Sequence, residues 1–316
     1  MEEQKKLREL TNTVRITGTV KEINLEVKPN KKEPHVKQIQ GNIIVQTVQG
    51  DKVNEHRVEL FAKESSKLFK GYDTIRREAL SIESHGKDAA TRVTVTGSID
   101  GNDYVGQDGQ LRENNRVRGL FVNRLEGDQA ATPDAAVAQI ELVVTNIRPI
   151  VKNEEETGEF AIDAFTIGYN NSVIKLQNLV VGEDLANVIS DNYEPNSTGK
   201  LTFQINNYVE VVEREVDPLA ETAGFGVQVD LGNEARNYTR NLKVIGGFPP
   251  YLDERALDEE DIRLAQQIRA LKVQEVLNAV PATPPTQPGG FGNNGFGDPF
   301  ANSNRTIDIS DDDLPF

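Results

Sequence analysis

Arg57, Phe61 and Lys63 lie within seven residues, in the run Arg57-Val58-Glu59-Leu60-Phe61-Ala62-Lys63. On an extended strand the side chains alternate, so Val58 and Leu60 share one face while Arg57, Glu59 and Phe61 take the other. A ring flanked by cations stacks on nucleobases with little regard to sequence, at about 1–3 kcal/mol per base, while the cations attract phosphates. The alternative is a buried Phe61 that belongs to the core. A second group surrounds Asp108-Gly109, a two-residue hairpin signal: Tyr104 precedes it, and Arg112, Arg116 and Arg118 follow on the return strand. Aromatic and basic residues around one hairpin track a flexible strand, and the same composition also suits an ordinary solvent-facing hairpin.

Catalytic chemistry finds little support. There is no cysteine, and His35, His56 and His85 have no H-x-x-x-H spacing; each falls in a polar segment where a solvated ring is expected. His85-Gly86-Lys87-Asp88 lacks both the upstream glycine and the following Ser/Thr of a phosphate loop. The carboxylates Glu154, Glu155 and Glu156 read as a solvated linker rather than a two-metal site. No catalytic residue, no metal site and no cofactor is expected, and the chain is read as a non-enzyme.

The elements that position these residues are mainly short strands. Val14, Ile16, Gly18 and Val20 alternate with polar residues, as do Val93, Val95, Gly97 and Ile99. A glycine inside a good strand marks a bulge or sharp bend, which a small closed barrel needs. Further strands are expected at 36–48 and 52–61, with a helix over 64–80. Beyond Pro149 an acidic turn at 152–159 precedes a second series at 160–167, 173–181, 201–212 and 238–245. Residues 257–279 lack Pro and Gly and form an amphipathic helix with Leu257, Leu264, Ile268 and Leu271 near one face, which either docks on the body or makes a self-association seam.

The 316 residues suffice for about two domains. The predicted fold class is all-β: two OB-fold-like barrels (1–150 and 151–250), one helix (251–280) and a disordered tail (281–316). The hydrophobic share of 37% is below the usual range, and the Pro/Gly/Asn-rich segment after Pro281 accounts for the shortfall. Net charge is -15, but residues 1–126 carry 22 basic against 19 acidic residues and 127–251 carry 8 against 19, so the first half is the better phosphate surface. Absence of cysteine, of a long apolar run and of an apolar N-terminal core leads to the expectation of a cytoplasmic protein with no membrane contact.

The last residues combine acid with an apolar end: Asp311, Asp312 and Asp313 run into Leu314, Pro315 and Phe316. The pattern reads as a peptide ligand, its ring filling a pocket, its α-carboxylate pairing with a basic lip and its aspartates meeting a basic rim. Asp298-Pro299-Phe300-Ala301 followed by the stretch from Ile307 to the end resembles the C-terminal tip of bacterial single-stranded DNA-binding proteins, particularly those of low-GC Gram-positive bacteria. That resemblance implies docking of replication, recombination and repair proteins by Asp311, Asp312, Asp313, Leu314, Pro315 and Phe316. The run from Val58 to Lys63 with Leu68-Phe69-Lys70-Gly71 is similar to that family's third strand and helix, with Phe61 at the base-stacking place. The segment 93–109 resembles its fourth strand and projecting hairpin.

The resemblance implies a non-enzymatic protein that coats and protects single-stranded DNA and recruits partner enzymes through the tip. Two alternatives stand beside it, an annealing or recombination mediator and a scaffold that captures host replication proteins without binding DNA. The second barrel, the extra helix and the insertion at 28–34 depart from the family's usual single-barrel member and point to a divergent bacteriophage or mobile-element version. Homo-oligomer formation stands among the expected partner modes of this chain, whereas the family's tetrameric assembly is not carried over to it.

Overall fold

The computed structural model describes residues 5–106, 108–152, 154–213 and 234–278. The expected 281–316 segment, including the tip, lies outside the described residues. The fold is mostly β. The first five strands are β1 (Asn12–Pro29), β2 (Lys37–Gln49), β3 (Lys52–Lys63), β4 (Arg92–Val105) and β5 (Leu111–Arg124). Between β3 and β4 lie the helix α1 (Lys67–Glu78) and the single turn α2 (Ile82–His85).

The pairings close on themselves. β1 pairs antiparallel with β2, β2 with β3 and β4 with both β5 and β1, while β3 meets β5 in parallel at Val58–Val117 and Glu59–Arg118. The circuit is β1-β2-β3-β5-β4-β1. Two of its strand glycines, Gly18 and Gly97, allow backbones to approach where a side chain would not fit. A Cβ on Gly18 would stand 2.3 Å from the Gln46 carbonyl oxygen, and one on Gly97 would stand 2.1 Å from that of Arg118, at the register shift between β4 and β5.

The same order then recurs in β6 (Ala135–Lys152), β7 (Glu155–Gly168), β8 (Ser172–Val181), β9 (Thr198–Glu213) and β10 (Glu234–Gly247). β6 pairs with β7, β7 with β8, β8 in parallel with β10, β10 with β9 and β9 with β6. A helix, α3 (Glu183–Asn192), again separates the third and fourth strands. β1 joins β6 over residues 12–17 and 135–140, and Asn54 of β3 meets Tyr208 of β9. All ten strands thus belong to one sheet.

Burial follows from alternation. Ile16, Ile43, Val58, Val95, Ile140, Leu142, Leu179 and Phe203 belong to one continuous apolar cluster that spans both circuits. α1 starts at Ser66, whose hydroxyl accepts from the Leu68 amide, and it buries Tyr72 and Ile75. The Tyr72 hydroxyl donates to the carbonyls of Gly119 and Leu120, tying α1 to β5. A second cluster covers the other face of β7: Leu7, Leu10 and the helix α4 (Glu259–Asn278) pack on Phe165 and Ile167.

Several expectations change here. The acidic turn at 152–159 is the closed end of the β6–β7 hairpin, with Val151 opposite Glu156, rather than a linker between strand series. β6 and α3 have no counterpart in the sequence reading. The helix near 257–279 docks on the body through Ile262 and Ala265, with Leu264 and Ile268 at the flanks, whereas Leu257 precedes the helix and Leu271 is exposed.

Candidate nucleic-acid interface

Phe61 projects from β3 with 44% of its surface exposed, while Val58 and Leu60 are buried. The core alternative for Phe61 is therefore excluded. The registers set Lys28, Gln38 and Lys63 in one row across β1, β2 and β3, and Glu26, Gln40 and Phe61 in the next; Asn24, Asn42 and Glu59 form a third that Arg118 of β5 extends. Residues directly opposite one another share a face, so Phe61 is embedded in a polar surface rather than an apolar patch.

Beside Phe61 lies a groove of about 490 Å³ lined by Lys28, Asn30, Lys31, Lys32, Gln38, Gln40 and Lys63. Four of its seven lining residues are lysines and none is acidic. Two carboxylates approach these lysines: Glu33 accepts from Lys63 at 2.7 Å, and Glu26 stands 3.7 Å from Lys28. The hydrogen bond from Lys63 holds the Glu33 carboxyl below its ordinary range. Lys31 and Lys32 have no ion pair among the described residues, and Lys63 is the only groove lysine held at hydrogen-bond distance by a carboxylate there.

The insertion at 28–34 builds this groove. The Asn30 carboxamide oxygen accepts from the backbone amides of Lys32 (2.9 Å) and Glu33 (3.0 Å), and the Asn30 amide donates to the Val36 carbonyl at 2.8 Å. These bonds turn the chain and present the two lysines side by side. Lys28, Lys31 and Lys32 are not among the residues that strand alternation or the hairpin signal singles out, although the pair Lys31-Lys32 is visible in the sequence.

The other selected residues divide. Arg57 is exposed and its guanidinium has no partner among the described residues. Arg118 is exposed and stands 3.9 Å from Asp100. Arg116 is held by Glu59 at 2.8 Å and by Asp100 at 3.2 Å, and Arg112 by Asp108 at 2.9 Å. Tyr104 is half-buried, with its hydroxyl shielded from solvent, so it does not present a ring as Phe61 does. The β4–β5 hairpin is fastened rather than projecting: Arg269 of α4 pairs with Asp103 and Glu113, Lys175 pairs with Glu113, and Asn115 bonds to the backbone of Lys175 and Gln177. Phe121, 51% exposed on β5 past the register shift, escaped sequence reading because the shift breaks the alternation there.

A second groove, of about 410 Å³, lies in the second circuit and includes Arg148, Asp163, Asn178, Tyr238 and Arg240. Its arginines are engaged, Arg148 by Asp163 and Arg240 by the Asn115 carbonyl at 2.9 Å. The first groove therefore offers the more available positive charge.

His56 departs from the solvated role expected of it. The strand alternation turns it inward, where it is 2% exposed and bonded to the Thr47 hydroxyl at 3.0 Å, and burial lowers its pKa to about 4. Among the described residues no group of three His, Asp or Glu side chains is arranged to hold a metal ion, and no helix is long and apolar enough to cross a membrane.

The YorF family profile matches residues 11–278 of the chain. A comparison with curated proteins returns no match. Among solved structures, the chain is similar to the wild-type single-stranded DNA binding protein from Thermus aquaticus, at 11% identity and a TM-score of 0.48, over 80% of this chain and 99% of that one. A deletion mutant of the same protein gives 12% identity and 0.46, over 80% and 98%. The Plasmodium falciparum SSB in complex with ssDNA gives 15% identity and 0.25, over 40% of this chain and 100% of that one. These are remote likenesses.

Proposed function

The chain belongs to the YorF family, and we propose that it is a single-stranded DNA-binding protein whose binding surface is the β1–β2–β3 face around Phe61. The observation that carries this reading is the juxtaposition of an exposed aromatic ring with a lysine-lined groove that no acidic residue lines. The ring supplies stacking that every base satisfies, and Lys28, Lys31, Lys32, Arg57, Lys63 and Arg118 supply the field that tracks a phosphate backbone. A duplex hides its base faces, so a ring on a strand favours an unpaired strand.

Each circuit of five strands is, in this reading, an OB-like barrel. Its support is the ring of pairings with one parallel closure and a helix between the third and fourth strands, found twice. The first barrel binds DNA, and the second supports it through the β1–β6 seam. The tip residues Asp311, Asp312, Asp313, Leu314, Pro315 and Phe316 recruit replication, recombination and repair proteins, a role that rests on the resemblance of their sequence alone. No catalytic step is part of this function.

The test is fluorescence anisotropy of labelled oligodeoxynucleotides with the full chain, as single strand and as duplex. Preference for the single strand, lost in the Phe61→Ala variant, is the expected result. Equal affinity of both proteins for the single strand would move the site elsewhere. Absence of binding by the unaltered chain, with partner capture retained, would favour the scaffold.

A further inference from the structure

The strand β5 changes face in its second half. Val117 and Gly119 are buried, so strict alternation would turn residue 121 inward as well. In the pairing with β4, however, Gly97 stands opposite Gly119 and Thr96 opposite Phe121, which makes Leu120 an extra residue in β5. This bulge turns Phe121 outward, 51% exposed, and sends Val122 inward opposite Val95. β10 carries a similar bulge between Val244 and Gly246, but the residue it brings opposite Thr202 is Gly246. The device therefore presents a ring in the first circuit and none in the second.

Phe121 begins a row that crosses the sheet through Thr96 of β4, Arg15 of β1, Val137 of β6, Gln204 of β9 and Lys243 of β10. Residues directly opposite one another share a face. The row holds no carboxylate in a chain of net charge -15, and Arg15 is exposed with no ion pair among the described residues. Carboxylates that border it on β4 and β6 are already engaged, Asp100 by Arg116, Asp134 by Arg92 and Glu141 by Arg8. Arg15 stands two strands from the ring, about 10 Å at ordinary strand spacing, a gap that an arginine side chain closes toward the phosphate of a stacked nucleotide. One large ring among Thr, Gln and Arg side chains does not make the apolar core of a protein–protein contact. It makes a stacking platform with a cation beside it.

Arg118 connects this face to that of Phe61. It stands opposite Glu59 in the parallel pairing with β3 and opposite Ser98 in the antiparallel pairing with β4. β3 and β5 run in the same direction from that row, so Phe61 and Phe121 both lie beyond it on the same side. Resting on the single-strand binding reading above, we propose that the strand stacked on Phe61 continues past Arg118 onto the outer face of β5, β4 and β1, where Phe121 stacks a second base and Arg15 takes a phosphate. The second ring lengthens the footprint without adding base selectivity, since every base has a face to stack.

The experiment photocrosslinks the full chain to dT30 in which 5-iodouracil replaces thymine, and identifies the labelled tryptic peptides. Cleavage after Arg57, Lys63, Arg118 and Arg124 isolates each ring in its own peptide, Val58–Lys63 and Gly119–Arg124. Label is expected in both. Anisotropy titrations then compare the unaltered chain with Phe121→Ala and Arg15→Gln. Phe121→Ala is expected to weaken dT30 binding at least about fivefold at every salt concentration, the low end for one stacked base, and Arg15→Gln to make the slope of log K against log[salt] shallower by about 0.7, one phosphate. Label in Val58–Lys63 alone, with binding unchanged in both variants, overturns the Phe121 subsite while leaving single-strand binding at Phe61 intact. Sedimentation velocity examines the other occupant: if Phe121→Ala dissociates an oligomer of the unaltered chain while DNA affinity holds, the face belongs to a second copy of the chain and the proposal fails. Label in neither peptide, with no binding of dT30 by the unaltered chain, overturns the reading beneath it.

Discussion

Arg116 of β5 donates to Glu59 of β3 at 2.8 Å and also reaches Asp100 of β4 at 3.2 Å. Glu59 shares the face of Phe61, and this arginine satisfies it within the sheet. Arg116 thus joins three strands instead of facing a phosphate. Arg116→Ala is expected to leave the salt dependence of DNA binding nearly unchanged while destabilising the fold by about 1 kcal/mol, as fits a network that is over a third exposed. Parallel salt titrations and urea melts measure the two effects, and a flattened salt slope would return Arg116 to the binding surface.

Lys31 and Lys32 carry the opposite expectation. Each phosphate neutralised on a single strand contributes about -0.7 to the slope of log K against log[salt]. Lys31→Ala with Lys32→Ala should therefore make the slope shallower by about 1.4. Phe61→Ala should lower affinity by about 1–3 kcal/mol at every salt concentration and leave the slope alone, since stacking releases no counterions. A slope altered equally by the aromatic and lysine changes would mean that the two groups do not act separately.

Strand alternation made much of this surface legible. Val58, Leu60 and Phe61 fall on the faces that period two assigns, and Gly97 stands at the expected irregularity. What stayed hidden depends on contacts distant in sequence. The groove needs Lys28, Lys31 and Lys32 brought beside Lys63 by the pairing of β1, β2 and β3, and composition alone gives no register. Arg112 and Arg116 read as available cations because their partners, Asp108, Glu59 and Asp100, become neighbours only in the folded hairpins. The second circuit is recognisable as a strand series, yet its first strand is not, because β6 runs straight through Arg148 and Pro149, where the sequence suggests a boundary.

The hairpin bearing Tyr104 is held by Arg269, whose side chain is 13% exposed and whose partner Asp103 is 4% exposed. Removing the cation leaves a buried carboxylate unpaired, which costs about 3 kcal/mol. Arg269→Met is expected to speed hydrogen exchange across 101–115 before the rest of the sheet, and adding Asp103→Asn should recover part of the stability. Unchanged exchange in that segment would show that Lys175 and Asn115 hold the hairpin without α4.

The buried imidazole of His56 gives the fold a pH dependence of definite sign. Burial lowers its pKa to about 4, from an ordinary value of 6.5 in the unfolded chain. Between these values the unfolded state binds a proton that the folded state does not, so stability is complete above pH 6.5 and declines as pH falls toward 4. The full difference amounts to about 3 kcal/mol, of which the portion above pH 4.5 is separable from carboxylate titration. Glu113 and Glu141 have lowered values, so their contributions are present above the ordinary carboxylate value and are lost as pH falls from it toward the lowered ones. His56 lies two residues from Asn54, whose side-chain oxygen accepts from the Asn207 amide at 2.8 Å at the seam between β3 and β9. Charging the ring therefore weakens the region where the two circuits meet. Urea melts of the full chain at intervals from pH 7.5 to 4.5 should show falling stability, and His56→Gln, which retains a polar partner for Thr47, should flatten that fall even if it is less stable throughout. A pH dependence identical in both proteins would assign the titration to another group.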